Sequence, residues 1–161
     1  MNYSLSMDSP FNTALHAPEG RAAYRIDTYL SSFTTTVIKQ LAGGGQSEVE
    51  IGRVAWQGGR PGTAVVHGHE MFVNKSSFFS SSRTFTALNG QSYKWTFHEG
   101  SALMASNDSR QAPAATYTPA TRSNPALLHI TPHGLTITSD VILSFVCVEG
   151  ERRHAMRKSL G

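Results

Sequence analysis

The string His67-Gly68-His69-Glu70 is the part of this sequence closest to a metal-ligand pattern. On a strand, positions i and i+2 project to the same side, so two imidazoles here could share a metal ion with a third ligand from elsewhere. Against that, Gly68 weakens a strand, and no second group of His or carboxylate residues has the spacing of a complete ligand set. Two histidines on a surface loop are the competing reading, and no cofactor is expected. Cys147 is the only thiol in the chain. It lies in the apolar run Val141–Val148, where a cysteine serves as a small buried hydrophobe; a reactive thiolate needs a cationic, partly exposed setting. One cysteine also excludes a disulfide framework and any zinc site built on several thiolates. Gly43-Gly44-Gly45 lacks the Lys-Ser/Thr of a phosphate-binding loop and reads as a turn.

The basic residues are unevenly placed. The formal net charge is +3. Residues 150–161 hold Arg152, Arg153, Arg157 and Lys158 against Glu151 alone, so the rest of the chain balances to zero. Such a cluster is either a solvated helix end, where cations complement the helix dipole, or a contact for an anionic surface. Lys94 alternates with Tyr93 and Trp95, so it is expected to point outward beside Arg83 and give a small basic spot. Phe78-Phe79 is either strand core or an exposed aromatic pair that grips a ligand or enters a membrane interface. A neutral body without a recognition motif argues against nucleic acid.

These residues need elements to position them. Ser and Thr occupy 34 of the 161 positions and Gly another 14, a composition of strands and turns and not of a helical bundle. Residues 1–20 are polar, with Pro10, Pro18 and Gly20, and read as an N-terminal arm preceding one domain over 21–161. Tyr24, Ile26, Thr28 and Leu30 alternate with Arg25, Asp27 and Tyr29 as in a half-buried strand. Thr34–Leu41 is a second strand, and Glu48–Trp56 a third, with Val49, Ile51 and Ala55 on one side. Arg83–Leu88 and Gln91–Phe97 flank Asn89-Gly90 and predict a hairpin on a type I′ turn, with Tyr93, Trp95 and Phe97 sharing a face. Roughly eight to ten short strands suggest a sandwich or barrel. Val141–Val148 is apolar on every side and fits a buried strand or a helix equally; a helix over about 140–158, capped by Asp140 or Ser139, would be about 28 Å long. No stretch is long enough to span a membrane and no leader pattern opens the chain, so a soluble, intracellular protein is expected.

Several strings in this order resemble a family of small fungal proteins of unknown function in the tubby-like superfamily, alongside phospholipid-scramblase-like proteins. They are Tyr24-Arg25-Ile26-Asp27-Thr28, Thr34-Thr35-Thr36-Val37-Ile38, Ile51-Gly52-Arg53-Val54-Ala55-Trp56, Ser82-Arg83-Thr84-Phe85-Thr86, Gly90-Gln91-Ser92-Tyr93-Lys94-Trp95 and Asp140–Arg153. The resemblance spans about residues 8–158. It implies a mainly β fold: a tubby-like antiparallel β-barrel closed around a central apolar C-terminal helix, with Arg152–Lys158 emerging at one mouth. Tubby-like relatives include domains that bind phosphoinositides through basic surface side chains, which is an analogy of fold only. The expected function is a cytoplasmic, non-enzymatic binding module without catalytic residues. It would attach peripherally to anionic phospholipid, or to a protein partner, through Arg83, Lys94, Arg152, Arg153, Arg157 and Lys158. The alternatives are an enzyme or small-molecule carrier using the barrel mouth, metal-dependent through His67 and His69, or a cytoplasmic carbohydrate-binding defence protein using Phe78-Phe79. A helix filling the barrel argues against a ligand cavity inside it.

Overall fold

The computed structural model describes residues 1–75, 81–108 and 110–160. Phe78 and Phe79, read from the sequence as strand core or ligand contact, lie outside the described residues. The alternating segments form strands β1 (Asn2–Leu5), β2 (Thr13–His16), β3 (Ala22–Leu30), β4 (Thr34–Ala42), β5 (Ser47–Gln57), β6 (Arg60–Val66) and β7 (His69–Glu70). They continue as β8 (Asn74–Lys75), β9 (Arg83–Thr86), β10 (Ser92–His98), β11 (Ser101–Ser106), β12 (Ala115–Thr118) and β13 (Leu127–Ile130). One helix, α1 (Thr138–Leu160), follows a short 3-10 turn at Gly134–Ile137.

All thirteen strands of the described chain join one sheet in the order β7-β6-β5-β4-β3-β2-β1-β13-β12-β11-β10-β9-β8, antiparallel throughout. Two meanders therefore meet where β1 pairs with β13. The polar opening residues are not an arm: β1 and β2 sit in mid-sheet, with Tyr3, Leu5 and Leu15 buried. Four-residue strands are too short to show a period, and Pro10 and Pro18 fall in the loops that follow them. The alternation expected along β5 also breaks. Ile38 faces Gly52 and Lys39 faces Glu50, leaving Ile51 as an extra residue. This bulge switches the inward side, so Val54 is buried while Val49 is exposed.

The ambiguous apolar run is a helix. Asp140–Gly150 are all buried within α1, which a helix without a polar face requires of its surroundings. Both halves of the sheet supply them. Phe145 packs on Tyr117 of β12 at 4.9 Å and Trp95 of β10 at 6.3 Å. Leu143 lies over Gly52 of β5, and Gly150 lies under the Trp56 indole, where a Cβ would come within 2.5 Å of the ring. The Trp95 indole donates to Ser144 Oγ at 2.9 Å, and that hydroxyl donates to the Val141 carbonyl. The sheet thus wraps around α1. Its two edges, β7 and β8, are joined by only Met71–Val73, which at the reach of an extended chain holds them within about 14 Å of each other. No pairing joins β7 to β8 among the described residues, so the sheet is not closed into a barrel.

The ends of the sheet differ. At the lower end, where α1 begins, Leu88 N–H donates to Asp140 Oδ1 and His67 Nε2 lies 2.8 Å from Ser139 Oγ. At the upper end, α1 passes the Gly58-Gly59 turn, where a Cβ on Gly59 would strike the His154 ring, and Lys158 Nζ comes 3.5 Å from the Gly58 carbonyl. The β3–β4 tip, residues 31–33, is at this upper end, because β3 and β5 both run toward it. No helix among the described residues is long and apolar enough to cross a membrane.

Candidate functional site

The basic residues singled out in the sequence separate into two groups. Glu149, one turn before the polar part of α1, has a fully buried side chain. Arg152 grips it bidentately, Nη2 to Oε1 at 2.6 Å and Nε to Oε2 at 2.8 Å. Arg153 Nε donates to Glu149 Oε1 at 2.8 Å, while its Nη2 donates to Asp8 Oδ1 at 2.7 Å and to Tyr117 Oη at 3.0 Å. Burial opposes the charge on Arg153, but its bonds to Glu149 and Asp8 outweigh it and hold the guanidinium above its ordinary value. Burial also opposes ionisation of Asp8, yet Arg153 and Tyr117 keep its carboxyl below the usual range. These contacts tie the helix to the β1–β2 loop and to β12.

Arg83 is not beside Lys94. It stands opposite Trp95 in the β9–β10 ladder, and residues directly opposite share a face, so Arg83 points inward. There its Nε and Nη2 donate to Glu151 at 3.2 and 3.3 Å. Lys94, opposite Thr84 and Ala105, is on the outer face and exposed. Arg157 and Lys158 are exposed on the last turns of α1. Arg83, Arg152 and Arg153 thus bind the molecule's own carboxylates, and Lys94, Arg157 and Lys158 face solvent.

A cleft of about 500 Å³ opens at the upper end between α1, the β5–β6 turn and β8–β9. Arg60, Lys75, Arg152, His154 and Lys158 surround it, with Arg83 and Glu151 at one wall and Phe97, Val148 and Met156 as its apolar surface. Arg152 lies over the Phe97 ring, 5.9 Å from its centroid. Glu151 is the one carboxylate among the lining residues and is already held by Arg83, with Arg60 at 3.9 Å. The balance of charge favours an anion, and the apolar surface favours a group that is not wholly polar. Arg60 and Lys75 escaped the sequence reading because each is isolated in its own segment. Only the Gly58-Gly59 pair, which turns the chain and delivers Arg60 beside α1, gave a local signal. A second cleft of about 470 Å³ lies across α1, lined by Phe11, Leu30, Trp56, His154 and Arg157 among others.

The other candidates are placed differently from one another. His67 and Gly68, both at positive φ (47° and 78°), form the two-residue turn between β6 and β7, while His69 begins β7 and is exposed. They do not share a strand face, and the turn puts them on the surface, as the competing loop reading had it. Among the described residues no group of three or more His, Cys, Asp or Glu is arranged to hold a metal ion. Cys147 is fully buried, and burial followed by the Glu151 charge pushes its thiol pKa up, so it is not activated. The expected type I′ turn at Asn89-Gly90 is instead a three-residue loop, with Ala87 N–H bonded to the Gln91 carbonyl and positive φ only at Gly90.

A family model described as a family of unknown function, DUF6593, matches residues 8–154. No curated protein and no solved structure matches the chain.

Proposed function

Because the chain belongs to that family of unknown function, membership brings no activity with it, and we propose from the geometry that it is a cytoplasmic, non-enzymatic module that binds anionic phospholipid at its upper end. The observation that carries this reading is the cleft beside α1, where Arg60, Lys75 and Lys158 converge around one already-paired carboxylate. Among the described residues, no ion pair occupies Lys75, Arg157 or Lys158. Each such cation near an anionic leaflet is worth about 1 kcal/mol, so the attachment is peripheral and sensitive to salt. We further infer that the wrapped sheet and its buried helix are a tubby-like arrangement. Eleven consecutive buried residues of α1 and two sheet edges separated by three residues support this.

Vesicle co-sedimentation tests the function. The protein should pellet with phosphatidylcholine vesicles carrying phosphatidylserine or phosphoinositide at low ionic strength, and less as salt rises. Protein that stays in the supernatant with every anionic lipid at low salt removes the proposal.

A further inference from the structure

Single exposed apolar side chains are ordinary on a protein surface, so their distribution matters more than their number. The three most exposed large hydrophobic residues described are Leu160 at 87%, Leu30 at 84% and Phe33 at 76%. All three are at the upper end: Leu30 and Phe33 at the β3–β4 tip, Leu160 on the last turn of α1. Met156, one turn before Leu160 and on the same helix face, is also exposed.

The tip is held outward and does not lie on the body. Ser31 Oγ donates to the Phe33 carbonyl across it at 3.0 Å. Below it, the Trp56 indole donates to Thr36 Oγ1 at 2.8 Å, Thr36 and Thr28 hydroxyls are 2.7 Å apart, and Thr28 Oγ1 donates to the Phe11 carbonyl at 2.6 Å. Cations flank it. Arg157 lines the same cleft as Leu30, and Arg60 and Lys158 stand beyond the Gly58-Gly59 turn that the two clefts share. Asp8, Glu149 and Glu151 at this end are engaged by arginines; Glu99, in the β10–β11 turn, remains exposed. An exposed apolar tip flanked by cations has the chemistry of a bilayer interface, where apolar side chains enter the acyl boundary and cations stay with the headgroups.

We propose that the upper end is a membrane-insertion face: Leu30 and Phe33 enter the acyl boundary of an anionic bilayer while Arg60, Arg157 and Lys158 hold its headgroups. This rests on the lipid reading given above and adds a penetrating, salt-resistant component to it.

The test uses the full chain with phosphatidylcholine–phosphatidylserine vesicles across a salt series. Wild type should keep a bound fraction at high salt. The double variant Leu30→Ser/Phe33→Ser should lose affinity by about tenfold and release completely at high salt. Arg157→Gln/Lys158→Gln should weaken binding at low salt and flatten the salt dependence. Phe33→Trp should gain emission, relative to wild type, that shifts blue on binding and is quenched by lipids brominated in the acyl chain. These side chains are exposed, so the variants should melt like wild type. If Leu30→Ser/Phe33→Ser binds as wild type does and the new tryptophan is not quenched, insertion is overturned while electrostatic attachment stands. If wild type binds no anionic vesicle, both proposals fall.

Discussion

Glu149 shows how one side chain decides what its neighbours can do. A carboxylate without solvent exposure is tolerable only because Arg152 and Arg153 both bond to it, and this spends two cations that the sequence offered to an outside partner. Glu149→Gln should therefore destabilise the fold by about 2 kcal/mol, less than for a deeply buried pair because both arginines can still reach water. The midpoint of urea unfolding measures the loss, and the variant should also show stronger salt-dependent vesicle binding as Arg152 is released, while Arg153 stays with Asp8. Asp140 behaves in the opposite sense to Asp8. Burial raises its pKa, with the Leu88 N–H, its own N–H and His67 offsetting only part. The folded state thus holds the Asp140 proton more tightly than the unfolded chain, and stability is lost as pH rises through the folded pKa. Asp140→Asn keeps an acceptor for Leu88 and cannot ionise. Its melting temperature should match wild type below the carboxylate range and exceed it near neutral pH. For Asp8, whose pKa is lowered, the contribution is present above the ordinary carboxylate pKa and disappears as pH falls through the lower folded value.

Within α1, Gly150 costs about 1 kcal/mol in helix propensity relative to alanine, yet it is where the Trp56 indole crosses the helix. A Cβ there would lie 2.5 Å from Trp56 Cη2 and 3.1 Å from Phe11 Cε1. Gly150→Ala should therefore destabilise by about 1–3 kcal/mol in spite of the better propensity, seen as a lower melting temperature with altered Trp56 emission. The sequence showed this glycine as a helix breaker because its partner is ninety-four residues away. Elements with a local signal were legible: β3 falls close to where alternation put it, β4 where β-branched residues did, and the β9–β10 hairpin where Asn89-Gly90 did. Val141–Val148 was not, since a segment buried on all sides carries no period to distinguish helix from strand. The inward turn of Arg83 was hidden for a related reason. Its side is set by register against Trp95, and the two-residue turn expected at Asn89-Gly90 is a three-residue loop that shifts the register by one.

Taken as a whole, the molecule is a ladder whose continuity depends on the β1–β13 junction. Deleting residues 1–7 would leave β2 and β13 as new edges and uncover Leu128 and Ile130. Such a chain should lose its cooperative melt and elute as aggregates in size exclusion, even though the deleted strand is only four residues long. The candidate site belongs to this scale too. Arg60 comes from the start of β6, Lys75 from a sheet edge and Lys158 from the helix, and only the wrapped sheet brings them together. Net charge located the helix end in the sequence, the Gly58-Gly59 turn hinted at Arg60, and nothing local marked Lys75. The order of elements carries a further consequence. The inward face of the ladder waits for α1, and α1 follows all thirteen strands of the described residues. On the ribosome, the newborn chain therefore holds a row of unfilled strands until Val141–Val148 has emerged. Folding therefore waits for α1 to emerge, and the period before it is when chaperones have the most to shield.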